Sequence, residues 1–326
     1  MPLRFDVCRK PMIVVLSGGV GAARFLEGLA AVVAPERIAA VVNTGDDMVM
    51  HGLHIAPDLD IVTCTLAGVI DTAQGWGIAG DTDECMQWLG RLGAPTWFKL
   101  GDRDLALHIY RTARLRDGAT LSRVADEIRH ALEVRVTIIP MSDDPAPTHV
   151  LTDHGELHFE EYFVRERCQP AVRGVRLHAA GPVRPAPSLL PLIASAEAII
   201  IAPSNPVVSV GPILAIPGVQ EAIAAASAPV IAISPIVGGA AIKGPAVPLM
   251  RAVGMAPTAL GVAEAYADLI DGIVIDTVDA ALAPAIEQLG IRPLVTDTIM
   301  RGRPEKIALA RAALDLAGLS VAATPS

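Results

Sequence analysis

The apolar residues of this chain come in short runs that stop abruptly at glycine or small polar residues. Met12 to Leu16 is one such run. Ser17-Gly18-Gly19 follows at once, and then Phe25, Leu26, Leu29, Val32 and Val33 recur at helical spacing. The pattern predicts a strand over Ile13 to Leu16, a glycine loop and a helix. "IAAVVNT", from Ile38, predicts a second buried strand. From about residue 185 the rhythm returns. "AEAIIIAPSNP", "APVIAISPIVGG", "DGIVIDT" and "RPLVTDT" each read as a buried strand halted by a polar or glycine loop. Unbroken apolar runs, rather than alternation, mark strands covered on both faces, as in parallel sheets.

The middle of the chain reads differently. A mostly helical insertion is expected over about 61–132. Its clearest helix is "TLSRVADEIRHAL", with Thr120 as N-cap and Leu121, Val124, Ile128 and Leu132 on one face. "VRVTIIPMSDDP" reads as another strand ending in a polar loop. A β insertion is expected over about 148–180, where "THVLTDHGELHFEEYFV" alternates and turns at Asp153 to Gly155. "RPEKIALARAAL" predicts a final helix with Pro304 in its first turn. No linker interrupts the pattern, so residues 12–326 are expected to form a single α/β domain. Residues 1–11 read as an N-terminal extension. The start resembles a signal peptide superficially, but its apolar core, Met12 to Leu16, is too short.

Composition narrows the classes. Hydrophobic residues are 52% and aromatics only 3%, so the core is aliphatic. The formal charge is −9 and no basic stripe relieves it, which excludes a nucleic-acid partner. No segment reaches the roughly 18–20 apolar residues of a membrane span. Cys8, Cys64, Cys85 and Cys168 form no CxxC pair, so neither a zinc site nor a disulfide framework is indicated. A cytoplasmic compartment fits best.

Several loops could carry chemistry. Ser17, Gly18, Gly19 and Gly21 lie between a strand and a helix, where backbone amides can cradle a phosphate; a simple tight turn is the plainer reading. Arg24 stands where a dinucleotide fingerprint needs its third glycine, and no Gly-Lys-Ser/Thr follows. In "APSNPVVSVGP", Ser204 and Asn205 can donate to a ligand or cap a turn. In "SPIVGGAAIKGPA", Gly238, Gly239 and Lys243 could meet phosphate. "NTGDDMVMHGLHIAPDLD" gathers Asp46, Asp47, Asp58 and Asp60. Crowded carboxylates suit magnesium, which takes oxygen ligands, and an extended loop would point Asp58 and Asp60 the same way. Asp residues capping two turns would look similar. "WFKLGDRDLALHIYRT" sets Lys99, Asp102, Arg103 and Asp104 close together, either to clamp a substrate or to start a salt-bridged helix. His51 and His54 read as loop histidines and His108 as helix packing.

Taken in order, "SGGVGAARF", "NTGDD", "APDLD", "KLGDRDLALHIYRT", "MSDDP", "HFEEYFV", "APSNPVVSVGPIL", "SPIVGG" and "KGPA" resemble the 2-phospho-L-lactate transferase family, over nearly the whole chain from Met12. The resemblance implies a Rossmann-like, mostly parallel sheet with helices on both faces and a small helical/β insertion subdomain. It implies magnesium-dependent transfer of a lactyl-, enolpyruvyl- or glyceryl-phosphate group from a guanosine diphospho-acid donor. The acceptor is the ribityl hydroxyl of a deazaflavin, the precursor of coenzyme F-420, and GMP is released. It places Asp60 and Lys99 on the deazaflavin, Asp47 ahead of Asp46 among metal ligands with Asp60 as a further one, and the glycine and "SNP" loops on the nucleotide. Asp60, then Asp102, are the expected proton acceptors. A homodimer is expected. The rival is a UDP-sugar-binding regulator of the gluconeogenesis-factor type, with the same general fold and no enzymatic activity; a nicotinamide-dependent oxidoreductase is disfavoured by the missing glycine.

Overall fold

The computed structural model describes residues 12–179 and 181–319; the N-terminal extension expected over 1–11 lies outside them. Seven strands form a central sheet: β1 (Met12–Ser17), β2 (Ile38–Val42), β3 (Thr137–Pro140), β4 (Ala196–Ile201), β5 (Val230–Ile233), β6 (Gly272–Asp276) and β7 (Arg292–Thr296). Their order is β7-β6-β5-β4-β1-β2-β3, and every neighbouring pair is parallel. The apolar runs of the sequence thus mark the sheet, because a parallel strand is buried on both faces.

Within β1 the side chains alternate between two cores. Met12, Val14 and Leu16 pack into one layer with the helical segments Leu189–Ala194, Ala246–Ala252 and Ala259–Ala265. Ile13 and Val15 pack into the other, beneath α1 (Gly19–Ala30), α2 (Pro57–Leu66) and the C-terminal helix Arg303–Leu316. Phe25 on α1 has no exposed surface; cutting it to alanine would cost about 3–5 kcal/mol.

The insertions follow the sequence pattern with two differences. α3 (Glu84–Arg91), α4 (Asp102–Arg116) and α5 (Leu121–Ala131) make the helical part, and Thr120 caps α5 by accepting from Arg123 N. Strands Thr148–Thr152, Gly155–His158 and Val172–Leu177 form a small antiparallel sheet. The first difference is that "PDLD" is no extended loop. Pro57 opens α2, so Asp58 and Asp60 are turned about 200° apart around the helix. The second is that "EYFVR" does not continue the hairpin; Glu161–Arg165 coil into one wide helical turn with Tyr162 buried.

Candidate active site

The strand order reverses between β1 and β4, so the chain leaves their carboxyl ends in opposite directions and a crevice opens there. The two loops lining it are tied together. Ser204 Oγ donates to Gly18 O at 2.8 Å, and Gly18 N donates back to Ser204 Oγ at 3.4 Å. Gly19 has φ +67, and a Cβ on Gly21 would stand 2.2 Å from Pro203 O. Gly21 is therefore needed where α1 crosses the second loop. Asn205 Oδ1 accepts from Val207 N and Val208 N and caps the turn Pro206–Val210. Ser204 thus holds the loops together rather than offering its hydroxyl proton to a ligand. Gly18, Gly19, Gly21, Arg24, Ser204 and Asn205 all line a cavity of about 790 Å³.

Acids gather on the wall of this cavity. Asn43 Nδ2 donates to Asp58 Oδ2 at 2.9 Å and to Asp46 Oδ1 at 3.2 Å, while Asn43 Oδ1 accepts from Gly45 N. Asp46, Asp58 and Glu160 are buried and line the cavity. Burial, then the charges of Asp58 and Glu160, raise Asp46 well above the ordinary carboxylate range. Burial, opposed by Asn43, pushes Asp58 up to about 7. Burial, then Asp58, pushes Glu160 up to about 8. Asp46 and Asp58 meet on the one Asn43 amide, and two carboxylates beside the cavity are a donor set that magnesium accepts.

Asp47 stands apart from this group. Its Oδ2 faces His54 Nε2 at 2.9 Å, its Oδ1 is buried without a partner, and it does not line the cavity. Asp58, not Asp47, shares the Asn43 amide with Asp46, because the helix turns Asp58 inward. Asp60 occupies another face of α2. The buried Arg111 donates from Nη2 to Asp60 Oδ1, and Asp60 Oδ2 is buried without a hydrogen bond, 3.5 Å from His108 Nδ1. His108 lines the cavity, and burial, partly opposed by Asp60, lowers it to about 4. It is therefore neutral at pH 7 and more than helix packing.

Lys99 and Asp102 part company although only two residues lie between them. Lys99 lines the cavity and is exposed at its mouth. Asp102 does not reach the cavity. Its carboxylate accepts from Thr82 Oγ1, Glu84 N and Cys85 N, and so caps the start of α3. Asp81 returns the arrangement, accepting from Arg103 N and Asp104 N at the start of α4. Asp102 is thus scaffold for the loop that presents Lys99. Gly238 lies off the cavity, donating to Asp279 Oδ2 at 3.0 Å, whereas Lys243 lines it. Aromatic residues cluster at the same end as Lys99. Of the chain's five Phe, three Trp and three Tyr, Trp76, Trp97, Phe98, Phe159 and Phe163 line this cavity.

Comparison with known proteins decides the family. The model of the 2-phospho-L-lactate transferase CofD family matches residues 13–309. The chain belongs to the 2-phospho-L-lactate transferase family. A phosphoenolpyruvate transferase of Streptomyces griseus is 44% identical over 311 residues, spanning 94% of this chain and 98% of that one. One from Streptomyces avermitilis is 46% identical over 312 residues, with the same coverage of each. A 2-phospho-L-lactate transferase of Methanothermobacter thermautotrophicus is 40% identical over 303 residues, covering 93% and 97%. Among solved structures, a Bacillus halodurans protein of the UPF0052 family superposes with a TM-score of 0.61 over 94% of this chain and 99% of that one. Its identity is 16%, so it supports the fold alone. As a member of this family the protein is a transferase.

Asn43, Glu160 and the aromatic end carry no signal singled out from the sequence, and Arg111, which reads there as part of a solvated helix or loop face over Arg111 to Arg116, is instead buried. Asn43 opens the "NTGDD" stretch, where the strand-end position was a usable signal. Glu160 and Arg111 sit in stretches quoted for the family resemblance, but only the fold shows that their side chains turn inward.

Proposed function

We propose that this chain is a magnesium-dependent transferase acting in coenzyme F-420 assembly. It moves a phospho-three-carbon-acid group from a guanosine diphospho-conjugate to the ribityl hydroxyl of the 7,8-didemethyl-8-hydroxy-5-deazariboflavin precursor and releases GMP. One observation carries this reading. A single cavity joins two loops at a strand-order reversal, a buried acid cluster, a lysine and five aromatic rings. The first suits a nucleotide, the second a cation on its diphosphate, the last a planar heteroaromatic acceptor. The volume lies toward the upper end for small-molecule sites, as fits two substrates.

In this reading Asp46 and Asp58 hold the magnesium ion, with Asn43 fixing both carboxylates. Magnesium, when bound, offsets charge on the diphosphate and on the departing GMP. The amides around Gly18, Gly19 and Gly21, with Arg24, position the phosphates. The aromatic end and Lys99 hold the deazaflavin so that its hydroxyl lies in line with the β-phosphorus. Asp60, oriented by Arg111 through one oxygen, accepts the hydroxyl proton on the other. The new bond joins the ribityl oxygen to that phosphorus, and the bond broken is the one to the bridging oxygen, which leaves with GMP. The higher identity to the phosphoenolpyruvate transferases favours an enolpyruvyl donor. A homodimer in the cytoplasm completes the reading; no described helix is long and apolar enough to cross a membrane.

The test mixes purified protein, magnesium and the deazaflavin with each of the lactyl, enolpyruvyl and glyceryl conjugates. Mass spectrometry follows GMP and the coupled deazaflavin. Product from the enolpyruvyl donor above the others is expected. No product from any donor, in folded protein that still binds a nucleotide, would refute the transferase reading, and binding of UDP-sugars instead would put the regulator in its place. Light scattering of the purified chain gives the oligomeric state, and a monomer would remove the dimer.

A further inference from the structure

The small antiparallel sheet has two chemically distinct faces. Val150, Leu157 and Val175 turn toward a core with Phe159, Tyr162, Val208 and Leu249. Period-two alternation sends His149, Glu156, His158, Arg176 and His178 to the other face. Three of the chain's eight histidines are therefore on one side of a three-stranded sheet.

These side chains converge. His149 Nδ1 lies 2.8 Å and His178 Nδ1 3.1 Å from the same Glu156 oxygen, Oε1. The two imidazoles stack with centroids 4.4 Å apart and planes 13° from parallel. Two imidazole nitrogens and a carboxylate oxygen lie within 4.8 Å of one another, and among the described residues this is the group whose ligand atoms converge to metal-binding spacing. Arg176 holds the carboxylate through both oxygens, Nη2 donating to Oε2 at 2.6 Å and Nε to Oε1 at 3.2 Å, so an ion would share Oε1 with the longer of the two bonds. His158 packs its ring edge-on against His149 at 5.8 Å. All three ligand-bearing side chains reach solvent, with 21%, 29% and 50% of the side chain exposed for His149, Glu156 and His178.

We propose that His149, Glu156 and His178 form a second metal site, separate from the cleft, for a divalent ion that prefers imidazole nitrogen, zinc first. The donor set decides the class. Two nitrogens and one oxygen suit zinc, cobalt or nickel, whereas magnesium prefers oxygen and belongs with the cleft acids. Each ligand comes from a different strand or its end, so a bound ion clips the three strands together. The edge strand Gly155–His158 continues into Phe159 and Glu160, which line the cavity. His158 also links the two regions, since its Nε2 meets Asp47 O at 3.1 Å and its Nδ1 accepts from Glu160 N. The site thus steadies the wall of the cleft without entering it.

The test uses the full chain with magnesium in excess, so that the cleft acids are occupied. Zinc is titrated calorimetrically, and cobalt is added as a visible probe. One ion per chain, d–d absorption with cobalt and a raised unfolding temperature with zinc are expected. His149→Ala and His178→Ala should each weaken zinc binding by at least about 100-fold, the upper range for disturbing even an outer partner of a metal site. His154→Ala, on the same hairpin but outside the cluster, should leave it unchanged. Cobalt should broaden the His149 and His178 ring signals of the unsubstituted protein in proton NMR, a readout independent of any variant's folding. Absence of uptake, uptake that survives both substitutions, or uptake abolished instead by Asp58→Asn would overturn the proposal.

Discussion

Asp58→Asn separates the cost of the acid cluster from its use. Asparagine keeps the volume and can still accept from Asn43 Nδ2, but it carries no charge. In the parent, burial raises the Asp58 carboxyl from 3.8 to about 7. The folded form therefore holds a proton that the unfolded chain has already released. Stability assigned to this group is full below about pH 4 and falls as pH rises toward about 7, after which the loss is complete. Three pH units correspond to about 4 kcal/mol, an upper figure at pH 8. In EDTA at pH 8 the Asn variant should be more stable than the parent by about 1–4 kcal/mol, several degrees in unfolding temperature. At pH 4 the gap should close. Magnesium should narrow the gap at pH 8, and reverse it where the gap is below about 2.7 kcal/mol. At 100 times its dissociation constant it stabilises the parent by about 2.7 kcal/mol, and the variant by much less. Thermal unfolding with EDTA and with magnesium, at pH 4 and pH 8, reads all four cases. A variant less stable than the parent at pH 8 in EDTA, or one that keeps the full magnesium shift, would refute the reasoning.

Other substitutions probe single roles. Asp60→Asn should lower turnover at least about 100-fold, and lower stability too because the buried Arg111 loses its counter-charge; near-normal turnover of the folded variant in steady-state assays would remove its role as proton acceptor. Asp102→Asn should lower the unfolding temperature, by loosening the start of α3, and keep most of the turnover; loss of turnover in a fully stable protein would restore Asp102 to the chemistry. Gly21→Ala should abolish nucleotide binding in equilibrium dialysis, since its Cβ would force Pro203 and the second loop away; normal binding would show that the two loops can separate. Trp97→Ala should raise the KM for the deazaflavin about 2- to 10-fold with little change in kcat, the range for one aromatic contact.

The sheet was legible because it is parallel and doubly covered. Each of its strands is an apolar run ended by a polar loop, so the signal survives without any knowledge of pairing. The loops at Gly18 and Ser204 were legible for the same reason, as ends of such runs. What the sequence hid was direction. Asp58 and Asp60 look alike along an extended chain, and only the helix begun by Pro57 sends one to Asn43 and the other to Arg111. Asp102 sits in a motif beside Lys99, yet local spacing cannot show that Thr82, Glu84 and Cys85 will claim its carboxylate. Asp46 and Asp47 are neighbours with equal chemistry; His54 draws one of them away from the cleft. Glu160 is brought in from a separate insertion, a long-range event with no local signature.

The bond pair between Gly18 and Ser204 joins residues 186 positions apart. During synthesis at 5–20 residues per second, roughly 10–40 s pass between the appearance of the two. For that interval β1 has no β4 beside it, and one edge of a strand buried throughout in the finished protein stands unpaired. The crevice is therefore a late product of folding. An N-terminal fragment that ends before Ser204 lacks one side of the crevice, however well its glycine loop is formed. A ligand that bridges the two loops acts on completed molecules, so it should retard their unfolding and leave the rate of folding unchanged.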